Sequence, residues 1–351
     1  MTIKSVSWIA ILLVALSISG CGSGTTVYVA GYTTSATTGK TITTLWTNGL
    51  AANLTDGTEN DAAWGMAVSN SGNLDLAGYT TSAATGKTIT TLWTNGTPTN
   101  LTDGTQIAAA WGMTVSNGGD VYLAGQTTSA TTGKAIATIW KNGIQENLTD
   151  GTEDAIAWGM TVTNSGDVYV TGNTTSATTG KTIATIWKNG TATNLTDGTQ
   201  NAEAWRIAVS SSGDVYVCGF TTSATTSYNI ATVWKNSIPT NLTDGTSQGL
   251  AESVAVSGND VYVAGVSTSA TTGNWIATVW KNSLPTHFTD GTKGAGAFWV
   301  TVSGSGDVYA AGFTTGATTN NAVATYWKNG TAIYLTDGTE SALAEQIYVS
   351  N

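Results

Sequence analysis

Between residues 158 and 198, apolar and small polar positions alternate in four short runs separated by turn residues. "MTVT" and "DVYVTG" flank Asn164, Ser165 and Gly166, and "TIATIWKN" and "TATNLT" flank Asn189-Gly190. Period-two alternation bounded by Gly, Asn and Asp predicts four β-strands. The Asn-Gly pair predicts a type I′ hairpin between the last two. Within "IATIW", Ile183, Thr185 and Trp187 fall on one face and Ala184 and Ile186 on the other. Neither face carries a charge, as expected of a sheet packed between two others. Asp197-Gly198 closes the fourth run with turn chemistry.

The same pattern fills the chain seven times. The glycine closing each second run stands at Gly31, Gly78, Gly125, Gly172, Gly219, Gly265 and Gly312, in steps of 47, 47, 47, 47, 46 and 47. Four antiparallel strands repeated seven times predict an all-β, seven-bladed β-propeller. The first copy opens at a second strand, "TTVYVAG" (residues 25–31), and the last stops after a first strand, "EQIYVS" (residues 345–350). The C-terminal strand is therefore expected to complete the first blade as a one-plus-three clasp, which removes an exposed seam.

Composition agrees with a β protein. Charged residues make up 10% and hydrophobic ones 40%, with 42 Gly and 3 Pro, and no long Ala, Leu, Glu and Lys run predicts a helix after the first residues. The opening "MTIKSVSWIAILLVALSISGC" differs. Lys4 precedes an apolar run from Trp8 to Ile18, too short for a membrane span and patterned like a signal peptide. "Ile18-Ser19-Gly20-Cys21" resembles the lipobox of bacterial lipoproteins, which implies lipidation of Cys21 after removal of residues 1–20. A short tether (21–24) would then lead to the propeller (25–351), attached to the membrane by its lipid alone. Gly22 in place of an Asp points to the outer membrane or cell surface rather than the inner membrane. Losing the leader removes Lys4 and no acid, so the mature chain is one unit more negative than the formal −10. That charge opposes nucleic-acid binding.

"AWGMTVTNSGDVYVTGNT" resembles the seven-bladed propeller repeat of secreted bacterial proteins (SBBP-like). The "WKNG…LTDG" half is similar to repeats of uncharacterised bacterial envelope proteins. The resemblance covers residues 25–351 and implies the fold, with little about activity.

Residues present in every copy are expected to build blades. Trp46, Trp93, Trp140, Trp187, Trp234, Trp280 and Trp327 are read as packing, and Asp56, Asp103, Asp150, Asp197, Asp244, Asp290 and Asp337 as turn formers. Function is sought where copies diverge. At the entry to the innermost strand stand Trp64, Trp111, Trp158, Trp205, Glu252, Phe298 and Glu345, followed by Gly65, Gly112, Gly159, Arg206, Ser253, Trp299 and Gln346. The tryptophans of the first set are also explicable as filler between blades. The loop between second and third strands varies at Tyr228 and Trp275. The candidate ligand site is Arg206, Tyr228, Glu252, Trp275, Phe298, Trp299 and Glu345: aromatic faces to stack, polar groups to orient.

Catalysis has little support. His287 is the only histidine and replaces an Asn of other copies; Cys218 replaces a small residue and is expected to be buried, without a disulfide. One histidine and no free cysteine at a candidate site leave no His-rich metal centre or Cys/His dyad, and the glycines serve turns rather than a phosphate loop. Glu252 and Glu345 could approach across the channel, which leaves a glycoside hydrolase or lyase using such carboxylates as a third alternative. No cofactor or metal is expected. The expectation is a monomeric, non-catalytic binding or scaffold module whose partner is an envelope protein, or alternatively a glycan.

Overall fold

The computed structural model describes residues 25–350, so the leader, the lipobox and Cys21 lie outside the described residues. Every regular element described is a strand, and 28 of them form seven four-stranded antiparallel sheets. Six sheets use four consecutive strands. In the fourth blade these are β12 (Ala155–Val162), β13 (Val168–Thr175), β14 (Thr182–Lys188) and β15 (Thr191–Asn194). The first blade instead has the order β28-β1-β2-β3, with β28 (Ala342–Val349) innermost against β1 (Val27–Thr34), then β2 (Thr41–Thr47) and β3 (Leu50–Asn53). The ring is closed by the clasp.

Asn189 and Gly190 take φ values of 48° and 79°, both left-handed, as a type I′ turn requires. The Asn189 side chain also accepts from the Val168 N–H at 2.8 Å and donates to Asp167 at 2.9 Å, tying the outer hairpin to the second strand. Asp197 Oδ1 accepts from both the N–H and the hydroxyl of Thr199, at 2.9 and 2.8 Å. The same bonds recur at Asp56, Asp103, Asp150, Asp244, Asp290 and Asp337. These carboxylates are committed to their turns.

The third-strand tryptophans are the largest fully buried side chains. Trp187 packs toward the preceding blade with Tyr122, Ala137 and Ile139, whereas Ala184 and Ile186 pack toward the next with Ile207 and Trp234. Each ring removes about 200 Å² from water, worth on the order of 5 kcal/mol at about 25 cal/mol per Å². The indole N–H finds no acceptor in six of them, including Trp187. That costs about 1–3 kcal/mol each, less than the burial returns, so packing decides the residue.

The first strand of each blade is longer than the alternation suggests. "MTVT" predicts a start at Met160, but β12 starts at Ala155. The reason is a bulge between Ala157 and Gly159, which breaks the period of two at Trp158.

Removing residues 346–351 deletes most of β28 beyond its own bulge and with it the pairs from Ala30 to Val27. Because the clasp closes the whole ring, the truncated protein is expected to melt at a markedly lower temperature with a broadened transition. An unchanged melting curve would show that closure does not depend on this strand.

Candidate functional site

Every innermost strand carries the same irregularity. Register shifts flank Trp64 in β4 (Ala62–Val68), Trp111 in β8 (Ala108–Val115), Trp158 in β12 and Trp205 in β16 (Ala202–Val209). They also flank Glu252 in β20 (Leu250–Ser257), Phe298 in β24 (Ala295–Val302) and Glu345 in β28. These residues sit inside their strands, not at the entry. A bulge gives one strand an extra residue and re-aims its side chain. Here all seven extra side chains line one cavity of about 420 Å³ on the propeller axis, together with Glu203, Arg206 and Leu343.

The glycine that marks each repeat makes room for this bulge. A Cβ on Gly125 would lie 2.0 Å from the Ala109 carbonyl oxygen, and at the other six glycines the equivalent distance is 1.9–2.0 Å. The carbonyl before the bulge occupies the space where any side chain would begin.

The residues after the bulges close the cavity below. Arg206 Nη1 donates to the Trp158 and Trp205 carbonyls at 2.7 and 3.2 Å, and Nη2 to the Trp111 carbonyl at 3.3 Å. Its guanidinium lies 5.5 Å from the centre of the Trp299 ring, in cation–π range. A Cβ on Gly112 or Gly159 would press on the Trp158 or Trp205 carbonyl, at 2.8 or 2.4 Å. Glycine there lets adjacent innermost strands approach, and the arginine fork gathers the carbonyls they expose. Opposite, Gln346 accepts from the Met66 N–H at 2.6 Å and donates to the Met66 carbonyl at 2.8 Å. Ser253 accepts from the Val300 N–H at 2.7 Å. Below this layer lies a second cavity of about 300 Å³, lined in part by Met66, Met113, Met160, Trp299 and Tyr348. The channel is therefore partitioned.

Three carboxylates face the upper cavity. Burial pushes Glu252 up to about 8 and Glu345 up to about 7, with Arg206 pulling both back down and, at Glu345, a bond from Trp64. Burial also raises Glu203, which accepts from Trp205 Nε1 at 2.8 Å. Burial lowers Arg206 from its ordinary value, but a guanidinium remains charged in proteins. Among the described residues every ion pair within 4.0 Å joins a lysine to an Asp or Glu, so Arg206 binds carbonyls rather than a carboxylate. No three His, Cys, Asp or Glu side chains of the described residues stand close enough together to hold a metal ion.

Of the residues singled out in the sequence, Arg206, Glu252, Phe298 and Glu345 meet at this cavity. Trp299 is part of the floor and lines the lower cavity. Tyr228 and Trp275 do not join them. Tyr228 is 46% exposed in the loop between β17 (Val215–Thr222) and β18 (Asn229–Lys235), and Trp275 is 38% exposed at the start of β22 (Trp275–Lys281). Both stand at the loop between the second and third strands, outward from the axis, and the structure does not bring them to the cavity. Trp64, Trp111, Trp158 and Trp205, read also as filler, are half-buried cavity wall. The ring centres of Trp64 and Trp111 are 5.9 Å apart, and those of Trp111 and Trp158 4.6 Å. Glu203 was missed. Its signal was available: at the position two before the bulge it is the only charged residue among Ala62, Ala109, Ile156, Leu250, Gly296 and Leu343.

His287 lies on β23 (Leu284–His287), where its Nδ1 meets the Thr278 hydroxyl at 3.1 Å, as Asn53 Oδ1 meets Thr44 at 3.2 Å. It substitutes for an asparagine in a fourth strand. Cys218 is free and buried, and burial pushes its thiol far up.

No family model and no curated protein matches the chain. Among solved structures, a puromycin-hydrolysing peptidase of Mycobacterium tuberculosis is similar with a TM-score of 0.56 at 10% identity, covering 87% of this chain and 53% of its own. The chain thus spans about half the peptidase's length. A protein assigned as TolB from Agrobacterium tumefaciens has a TM-score of 0.43 at 11% identity, covering 93% of this chain and 98% of its own. At such identity the peptidase likeness bears on the fold alone. The chain is a seven-bladed β-propeller with a floored axial pocket.

Arg206→Lys keeps the charge but loses the fork that spans three blades. The expected cost is about 2 kcal/mol, read as a lower midpoint in urea unfolding. An unchanged midpoint would mean the three carbonyl bonds contribute nothing net.

Proposed function

We propose that this protein is a non-catalytic binding propeller of the bacterial envelope. Its axial pocket receives a ligand, and the surrounding loop face meets another envelope component. The observation that supports this reading is the convergence of all seven bulged side chains on one cavity, including the blades whose residues differ. Its volume is in the range of small-molecule sites. Under this reading residues 1–20 are a lipoprotein signal and Cys21 is lipidated, which would hold the propeller at the outer membrane or cell surface. The bacterial SBBP-like repeat resemblance fits the same address.

The electrostatics favour binding over hydrolysis. A carboxylate pair in a glycosidase needs one acid and one ionised partner, set apart by different environments. Here burial moves Glu203, Glu252 and Glu345 the same way. A second reading, a lectin-like propeller for glycan or peptidoglycan, is favoured by the contiguous Trp64, Trp111 and Trp158 wall.

Two double variants of the full chain separate pocket from rim: Trp111→Ala with Glu252→Gln, and Tyr228→Ala with Trp275→Ala. Binding of peptidoglycan fragments is expected to fall at least about tenfold in the pocket variant and to survive the rim variant, whereas capture of native envelope proteins is expected to fall in the rim variant. Loss of fragment binding in the rim variant alone would move the ligand site to the outer loops. Turnover of the glycan would contradict the non-catalytic reading.

A further inference from the structure

We propose that the axial pocket binds a small organic cation, an alkylammonium or quaternary ammonium compound, between its aromatic wall and its glutamates. The inference rests on the pocket being the ligand site and names the chemistry of what it takes.

Charge is the first argument. Glu203, Glu252 and Glu345 face the cavity against one cation, Arg206. That guanidinium is turned onto three backbone carbonyls and the Trp299 ring. No lysine lines the cavity. A ligand cation would meet three carboxylates that stand in no ion pair within 4.0 Å among the described residues, and partly desolvated carboxylates gain from such a partner.

The second argument is the wall. Trp64, Trp111, Trp158, Trp205 and Phe298 surround the same space. Aromatic faces attract a desolvated cation, and tryptophan does so most strongly. Beyond its ring faces, the wall offers a neutral sugar few free donors. Trp158 Nε1 is already bonded to Asn173 at 2.8 Å and Trp205 Nε1 to Glu203 at 2.8 Å, while Arg206 is occupied below. A metal ion fits poorly because the carboxylates do not converge to chelating distance. They are disposed around a larger, softer guest.

Cation binding and carboxylate ionisation are then linked. The titratable groups facing the site are Glu203 and Arg206 on β16, Glu252 on β20 and Glu345 on β28. Cys218 on β17 and Tyr32 on β1, the latter with Tyr79 on β5 (Leu74–Thr81) behind it, add neutral groups that burial raises. The cavity residues from β4, β8, β12 and β24 are Trp64, Trp111, Trp158 and Phe298, which do not titrate. An ammonium ligand favours the ionised glutamates, so its affinity must rise as pH rises through their range. A neutral ligand has no such requirement.

The test is calorimetric titration of the full chain with choline and with 3,3-dimethylbutanol, which has the same shape without the charge. Choline is expected to bind at least about tenfold more tightly than the alcohol. Its affinity should rise at least about tenfold between about pH 6 and about pH 9, and Glu252→Gln, with an unchanged melting transition, should weaken it by a similar factor. Equal affinity for the alcohol, or no pH dependence, would overturn the proposal. So would the absence of binding by choline, tetramethylammonium and n-butylamine into the tens of millimolar. If cellobiose or chitobiose binds instead and Trp111→Ala abolishes it, the cation inference falls while the pocket remains the binding site.

Discussion

One steric contact organises this propeller: the carbonyl oxygen preceding each bulge, seated where a side chain on the second strand would begin. A glycine opposite is the only residue that admits it, at distances of 1.9–2.0 Å from a built Cβ. The repeat marker in the sequence is thus the partner of a bulge, and the bulge turns one side chain per blade toward the axis. Scaffold and site are coupled through backbone geometry. Whatever residue stands after the innermost alanine is delivered to the cavity, so the site can vary while the blade does not.

The same bulges create a problem at the axis, where backbone carbonyls crowd together. Gly112 and Gly159 allow the approach, and Arg206 collects the oxygens of Trp111, Trp158 and Trp205. An arginine without a carboxylate partner is tolerated here because three carbonyls and an aromatic face replace its water. Its position partitions the channel and leaves the glutamates above without an ion pair. Part of the divergence between blades is therefore structural: Arg206, Ser253, Trp299 and Gln346 close the floor, while Glu252, Phe298 and Glu345 face the cavity.

Much of the fold could be read from the chain because strand period, turn chemistry and repeat spacing are local signals. The step of 47, Asn189-Gly190, Asp197 and the terminal half-blade each specify one feature without long-range knowledge. The site was legible only in part. A bulge breaks alternation, so the sequence pattern starts the first strands at Met160-like positions and places the tryptophans before them. Divergence along the sequence carries no radius, so it does not separate Tyr228 and Trp275 from residues on the innermost strands. Glu203 sits one turn of alternation before its bulge, and only knowledge of the bulge shows that it faces the same space.

The most direct test of a floored axial pocket that desolvates its glutamates is a carbon-13 NMR titration of the Glu252 and Glu345 side-chain carboxyls. The account predicts titration near about 8 and about 7, well above the ordinary glutamate value. Midpoints near about 4.3 for both would mean that the channel is open to water, and the account of the site would be contradicted.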